Sequence, residues 1–137
     1  MQTATLTQPF STKAVWIGRM VSALPVLFVV FDGVIKVLQL APAVEATVQL
    51  GYPAHVVFGL GIVQLACLAL YLLPRSSVIG AILLTGYLGG AIATHVRIGS
   101  PIFSVIFPIM LGGLLWGGLF LQDQRLRALL WPRRTSG

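Results

Sequence analysis

The order of apolar and polar positions divides the chain into four long hydrophobic runs, residues 20–40, 54–73, 76–96 and 102–121. The first contains Asp32 and Lys36, the second and third carry no formal charge apart from a proton on His55 or His95, and the fourth has no ionisable group. None shows an apolar stripe backed by a charged face; the runs are apolar nearly all round, as helices facing lipid must be. Each is about 20 residues long, enough at 1.5 Å per residue to cross the roughly 30 Å hydrocarbon core of a bilayer.

The breaks between the runs support the same division. Pro42 follows the first run, Gly51-Tyr52-Pro53 precede the second, Pro74 closes it, and Gly99-Ser100-Pro101 separate the third from the fourth. Proline disfavours the helical state of the residue before it and marks helix boundaries. Pro25 and Pro108 fall inside runs, where neighbouring helices can re-satisfy the backbone. The short second and third connections force antiparallel neighbours. The pattern therefore predicts an all-α integral membrane four-helix bundle, up-down-up-down, with a short interfacial helix around residues 44–50 of the first loop. A Thr- and Gln-rich segment over 1–13 reads as flexible, 14–131 as a single four-span domain, and 132–137 as a basic tail. Ala41-Pro42-Ala43 has the form of a signal-peptide cleavage site. It lies far beyond the apolar stretch, with Asp32 and Lys36 between, so the first run reads as a span.

Composition sharpens the class. Of the 137 residues 57% are hydrophobic and 9% charged, against roughly 25% charged in a soluble domain. So few charges cannot cover a small domain in water. The net charge of +6 could suggest nucleic acid, but the basic residues flank the runs and form no stripe interleaved with aromatics, so no nucleic-acid partner is expected. Lys13, Arg19, Arg75, Arg125, Arg127, Arg133 and Arg134 fall on one side of the predicted bundle, and Lys36 and Arg97 on the other. That asymmetry predicts a multi-pass protein of a bacterial inner membrane with both termini cytoplasmic. Trp16 and Trp131 read as interfacial anchors. Cys67 is the single cysteine, which excludes an internal disulfide and a CxxC pair. The two histidines lie on different segments, and no metal site is predicted.

Gly86 and Gly90 form one GxxxG and Gly113 and Gly117 another. Smooth faces of this kind let helices approach closely in lipid, either within the bundle or between copies in a homo-oligomer.

Polar residues at membrane depth carry the candidate chemistry, because each is costly unless paired or hydrated. Asp32 and Lys36 are four apart, about 40° around the helix, and can pair. With the N-terminus inside, they lie in the outer half of the bilayer, as do His95 and Arg97 at the end of the third run. Tyr87 and Thr94 share a face of that run, and Gln64 sits near the middle of the second. These residues predict a polar pocket opening outward, with Tyr87 and Gln64 on its floor. The competing reading is a network that only locks two helices together. Asp, His and Tyr are acid/base groups, and Lys and Arg can hold an anion or a polarised oxygen. Catalysis remains open, and no catalytic residue is assigned.

The same residues carry a family resemblance. Phe31-Asp32-Gly33 with Lys36, Leu50-Gly51-Tyr52-Pro53 with His55, Leu72-Leu73-Pro74-Arg75, and the block from Gly80 through Thr85-Gly86-Tyr87 to Thr94-His95-Val96-Arg97 resemble the DoxX-like family of small bacterial four-span membrane proteins. The resemblance covers roughly residues 18–130. The family takes its name from a subunit associated with a thiosulfate:quinone oxidoreductase. The resemblance therefore implies a link to respiratory or redox membranes and a candidate redox partner; no cofactor is identified, quinone being one candidate, and most such proteins have no defined activity. The family often has Glu-Leu where this chain has Gln64-Leu65, which removes one proton-handling group. The expected function is binding of a small lipophilic molecule, such as a quinone or an isoprenoid, in the outward pocket. The alternative is a non-catalytic accessory subunit.

Overall fold

The computed structural model describes residues 12–123 together with 126, 128 and 129. Helix α1 spans Thr12–Val37, α2 Ala41–Gln49, α3 Val57–Leu72, α4 Ser77–Ile98 and α5 Ile102–Gln122, with one 3-10 turn, Ala54–Val56, leading into α3. No strand occurs among the described residues. Four segments, Lys13–Val37, Ala54–Leu72, Ser77–Ile98 and Ile102–Gln122, are long and apolar enough to cross a membrane. The short α2 occupies the first loop.

The helix ends follow from local chemistry. α1 stops where Gln39 takes a left-handed φ of 53°, and the Leu40 N–H turns back to the Ile35 carbonyl at 3.0 Å. Gly99, at φ 71°, ends α4, and the Ser100 N–H returns to the His95 carbonyl at 3.0 Å. These left-handed caps satisfy carbonyls that would otherwise lack partners. Pro42 lies in the first turn of α2 and Pro101 immediately precedes α5, positions that need no intrahelical backbone N–H.

α1 begins eight residues earlier than the apolar run. Lys13 and Arg19 fit inside it because both are exposed, and long basic side chains can carry their charge away from the apolar body of a helix. Thr12 and Lys13 therefore belong to α1, whereas the rest of the expected flexible segment lies outside the described residues. So do the expected basic tail, Arg125, Arg127 and Trp131.

α1 packs against α3 and α5, and α4 packs against the same two. α1 and α4 thus face each other across the bundle, as do α3 and α5. Leu68, Leu84, Leu115, Val57 and Pro25 are fully buried in it. Between 22% and 33% of each span is buried inside the bundle. Met20, Leu27, Phe31, Ile102 and Phe103 are exposed. That inversion, with large apolar groups outside, is stable only in an apolar solvent.

Close helix approach depends on glycines, but on different ones from the two GxxxG pairs. A Cβ at Gly80 would collide with the Tyr71 backbone, and one at Gly118 with the Ser22 hydroxyl and the Gly18 carbonyl. Gly61 fits against Lys36 and Val37 in the same way. At Gly86, Gly90, Gly113 and Gly117 a Cβ would meet nothing within 4 Å. Those four do not mediate contacts between helices of this chain.

Candidate functional site

Lys36 is the centre of the site. Its Nζ donates to Asp32 Oδ2 at 2.6 Å, to Gln64 Oε1 at 3.0 Å and to the Tyr87 hydroxyl at 3.1 Å. All three ammonium N–H groups are used. The partners come from α1, α3 and α4, so the lysine reaches across the bundle diagonal. Gln64, 2% exposed, completes its own bonding by donating Nε2 to the Val29 carbonyl at 2.9 Å. A buried amide with both ends engaged fixes the register of α3 on α1.

Helix direction explains why these groups meet. Side chains tilt toward the N-terminus of their own helix. Lys36 stands in the last turn of α1, so its long stem runs back toward mid-bundle, to Gln64 and Tyr87. Gly61 makes room, because its missing side chain lets the backbone of α3 rest against Lys36 Cβ.

The cluster is not sealed. The side chains of Lys36 and Asp32 retain 15% and 28% of their exposure. Asp32 Oδ2 takes the ammonium, which leaves Oδ1 free to accept. The Tyr87 hydroxyl accepts from Lys36, which leaves its own proton to donate. The site therefore offers one donor and one acceptor beyond its internal bonds. Asp32 follows Phe28 by one helical turn, and the Phe28 ring meets Phe107 of α5 edge-on at 4.7 Å.

The other expected site residues lie elsewhere. Thr94 is buried and bonds the Tyr52 hydroxyl at 3.0 Å and the Gly90 carbonyl at 2.8 Å. His95 Nδ1 meets Ser100 Oγ at 2.9 Å. The Arg97 guanidinium donates to the Leu50 carbonyl at 3.1 Å. These three strap the end of α4 to its neighbouring loops, and Thr94 sits two turns, about 10 Å, along α4 from Tyr87. His95 and Arg97 make no hydrogen bond to the lysine cluster. His55 is exposed in the 3-10 turn.

A second polar cluster occupies the opposite end of the bundle. The Tyr71 hydroxyl donates to the Leu115 carbonyl at 2.6 Å and shares a 3.0 Å bond with Ser22 Oγ, to which Gln122 Nε2 also donates at 3.1 Å. Tyr71 is seven residues from Gln64 on the same face of α3, about 10 Å away, with Leu68 buried between them. Ser22 and Gln122 give no sequence signal of a shared site, since serine and glutamine near span ends are ordinary. A cavity of about 670 Å³ opens beside this second cluster. Among the described residues no group of three His, Cys, Asp or Glu could hold a metal ion.

No curated protein and no solved structure matches the chain. The model of the DoxX-like family matches residues 20–118. That stretch contains the Asp32–Lys36 pair, Gln64 and Tyr87, and covers most of the four apolar helices of membrane-spanning length. The chain belongs to the DoxX-like family of multi-pass membrane proteins.

Proposed function

We propose that the lysine cluster is a binding site for a small lipophilic molecule bearing an oxygen that can both accept and donate a hydrogen bond, of the quinone and quinol class. The observation that carries this reading is an ion pair held at membrane depth with its acceptor and a tyrosine proton left over. A purely structural lock has no need of a charge there. Apolar side chains of similar volume commonly stabilise an interior as well as a buried ion pair does, and intramembrane charges mark functional sites.

The remaining groups fit such a ligand. The Tyr87 hydroxyl would donate to a carbonyl oxygen, and Asp32 Oδ1 would accept from a hydroxyl. Lys36 holds both in place, and its charge beside the tyrosine favours a developing negative oxygen. Bound there, a quinone would supply two-electron redox chemistry. Asp32, half-open toward the edge of the bundle, would hold or release the accompanying proton. The exposed apolar surface of α1 and α5 offers a tail its natural solvent, the bilayer. The orientation that suits this reading has both termini in the cytoplasm, in a bacterial inner membrane, with the cluster in the outer half.

The test is photo-crosslinking with an azido-quinone on purified protein in phosphatidylcholine nanodiscs. Label is expected on peptides of α1 and α4. It should fall about tenfold or more in Tyr87→Phe and Asp32→Asn, each of which removes one charge-assisted or neutral hydrogen bond to the ligand. Equal labelling of wild type and both folded variants would refute the reading.

A second reading is favoured by the glycines. Gly86, Gly90, Gly113 and Gly117 leave smooth surfaces unfilled within the chain, as an accessory subunit docking a redox partner or a second copy would need. Gly86→Leu or Gly113→Leu should then abolish co-purification of the partner; unchanged recovery excludes it.

A further inference from the structure

We propose that the cavity at the end of the bundle where α1 begins and α5 ends binds the phosphate headgroup of an anionic amphiphile, with the tail lying along its apolar wall. This site is distinct from the lysine cluster. The cavity of about 670 Å³ is lined by Arg19, Ser22, Val26, Tyr71, Arg75 and Gln122, and its size falls in the range of small-molecule sites, about 300–1,000 Å³. All four spans and the α3–α4 loop contribute to it.

Its chemistry is graded with depth. Ser22 and Tyr71 are buried, at 6% and 5% exposure, and are hydrogen-bonded to each other and to Gln122. Arg19 and Arg75 are exposed at the rim. Among the described residues neither arginine has an ion-pair partner. Asp123 also lines the cavity, and its carboxylate accepts the Leu126 N–H at 3.4 Å. The lining therefore keeps one net positive charge, presented by planar forks that match phosphate geometry.

Position selects an amphiphile. Trp16, 59% exposed, stands one turn before Arg19 on α1. An exposed tryptophan beside an arginine near a span end belongs at headgroup level. Val15, Ala23, Val26 and Leu72 provide an apolar wall running from that level into the spans. A headgroup between the arginines would leave its tail against this wall, whereas a free phosphate would use only the rim.

The experiment is calorimetric titration of the full-length protein in phosphatidylcholine nanodiscs, with dihexanoyl phosphatidic acid, dihexanoyl phosphatidylcholine and inorganic phosphate as separate probes. Phosphatidic acid is expected to bind at least about tenfold more tightly than the other two. Arg19→Gln/Arg75→Gln should weaken it by about tenfold or more, for the loss of charge-assisted contacts. Ala23→Phe, which fills the apolar wall, should weaken phosphatidic acid and leave inorganic phosphate unchanged. The arginine variants alter exposed side chains only, and unchanged helical circular dichroism with a single elution peak verifies their fold. Phosphatidic acid binding that is indifferent to the arginines overturns the proposal. Equal affinity for phosphatidylcholine does so as well. Inorganic phosphate binding as tightly as phosphatidic acid would make this a free-anion site and also overturn it.

Discussion

At the scale of single residues, Lys36 organises the polar cluster shared by α1, α3 and α4. Its ammonium takes Asp32, Gln64 and Tyr87 at 2.6, 3.0 and 3.1 Å. The cost of removing it is therefore the cost of what it leaves behind. Lys36→Met strands a carboxylate beside an apolar interior and should destabilise the protein by about 3 kcal/mol, whereas Asp32→Leu/Lys36→Met should recover most of that loss. Thermal unfolding in detergent of the two variants and wild type measures both. A double variant no better than the single would mean that the pair is not coupled. The Asp32–Lys36 pairing was legible in the sequence from a spacing of four on an apolar run. Gln64 and Tyr87 were legible as the floor of the same pocket, but not as direct hydrogen-bond partners of Lys36. Sequence depth alone aligned Lys36 with His95 and Arg97. What it omitted is that a lysine stem tilts back along its own helix, which brings the charge to Gln64 and Tyr87 instead. Tyr52 and Ser100, which hold Thr94 and His95, lie in loops, and no periodicity announces a loop residue's partner.

At the scale of elements, the four spans and the short loop helix follow from apolar run length and from Pro and Gly punctuation. The start of α1 at Thr12 does not, because exposed basic residues can extend a helix past its apolar run. The two GxxxG pairs show where pattern reading stops. A spacing of four puts two glycines on one face but does not say which way that face points. Gly80 and Gly118 bear the close contacts instead, one against the Tyr71 backbone and the other against Ser22. Gly80→Ala should therefore be strongly destabilising, since the obstructing atoms are backbone and cannot rotate away. Gly86→Ala meets open space and should raise stability by about 0.4–1 kcal/mol through the unfolded chain. The pair of variants, melted side by side in the same detergent, checks the assignment. Loss of stability at Gly86 comparable to that at Gly80 would show that α4 packs with a different face inward.

At the scale of the molecule, a bundle whose spans bury only 22–33% of their length internally depends on lipid for the rest. Its two polar clusters lie two turns of α3 apart, with Leu68 buried between them. Each end therefore has its own chemistry, a compensated ion pair at one and an arginine-rimmed cavity at the other. The orientation argued from the basic residues predicts that a cysteine introduced at exposed Glu45 in α2 reacts with an impermeant maleimide from the outside of intact cells, and one at Arg75 does not. Cys67 is buried, so background labelling should be low. The reverse pattern would invert the bundle. The most direct test of the central claim is native mass spectrometry of the protein gently extracted from quinone-containing membranes. Wild type should carry one small apolar adduct of quinone mass. Arg19→Gln/Arg75→Gln should retain it, and folded Asp32→Asn and Tyr87→Phe should lose it. A bare wild type, or the same adduct on all four proteins, would contradict a ligand site at Lys36.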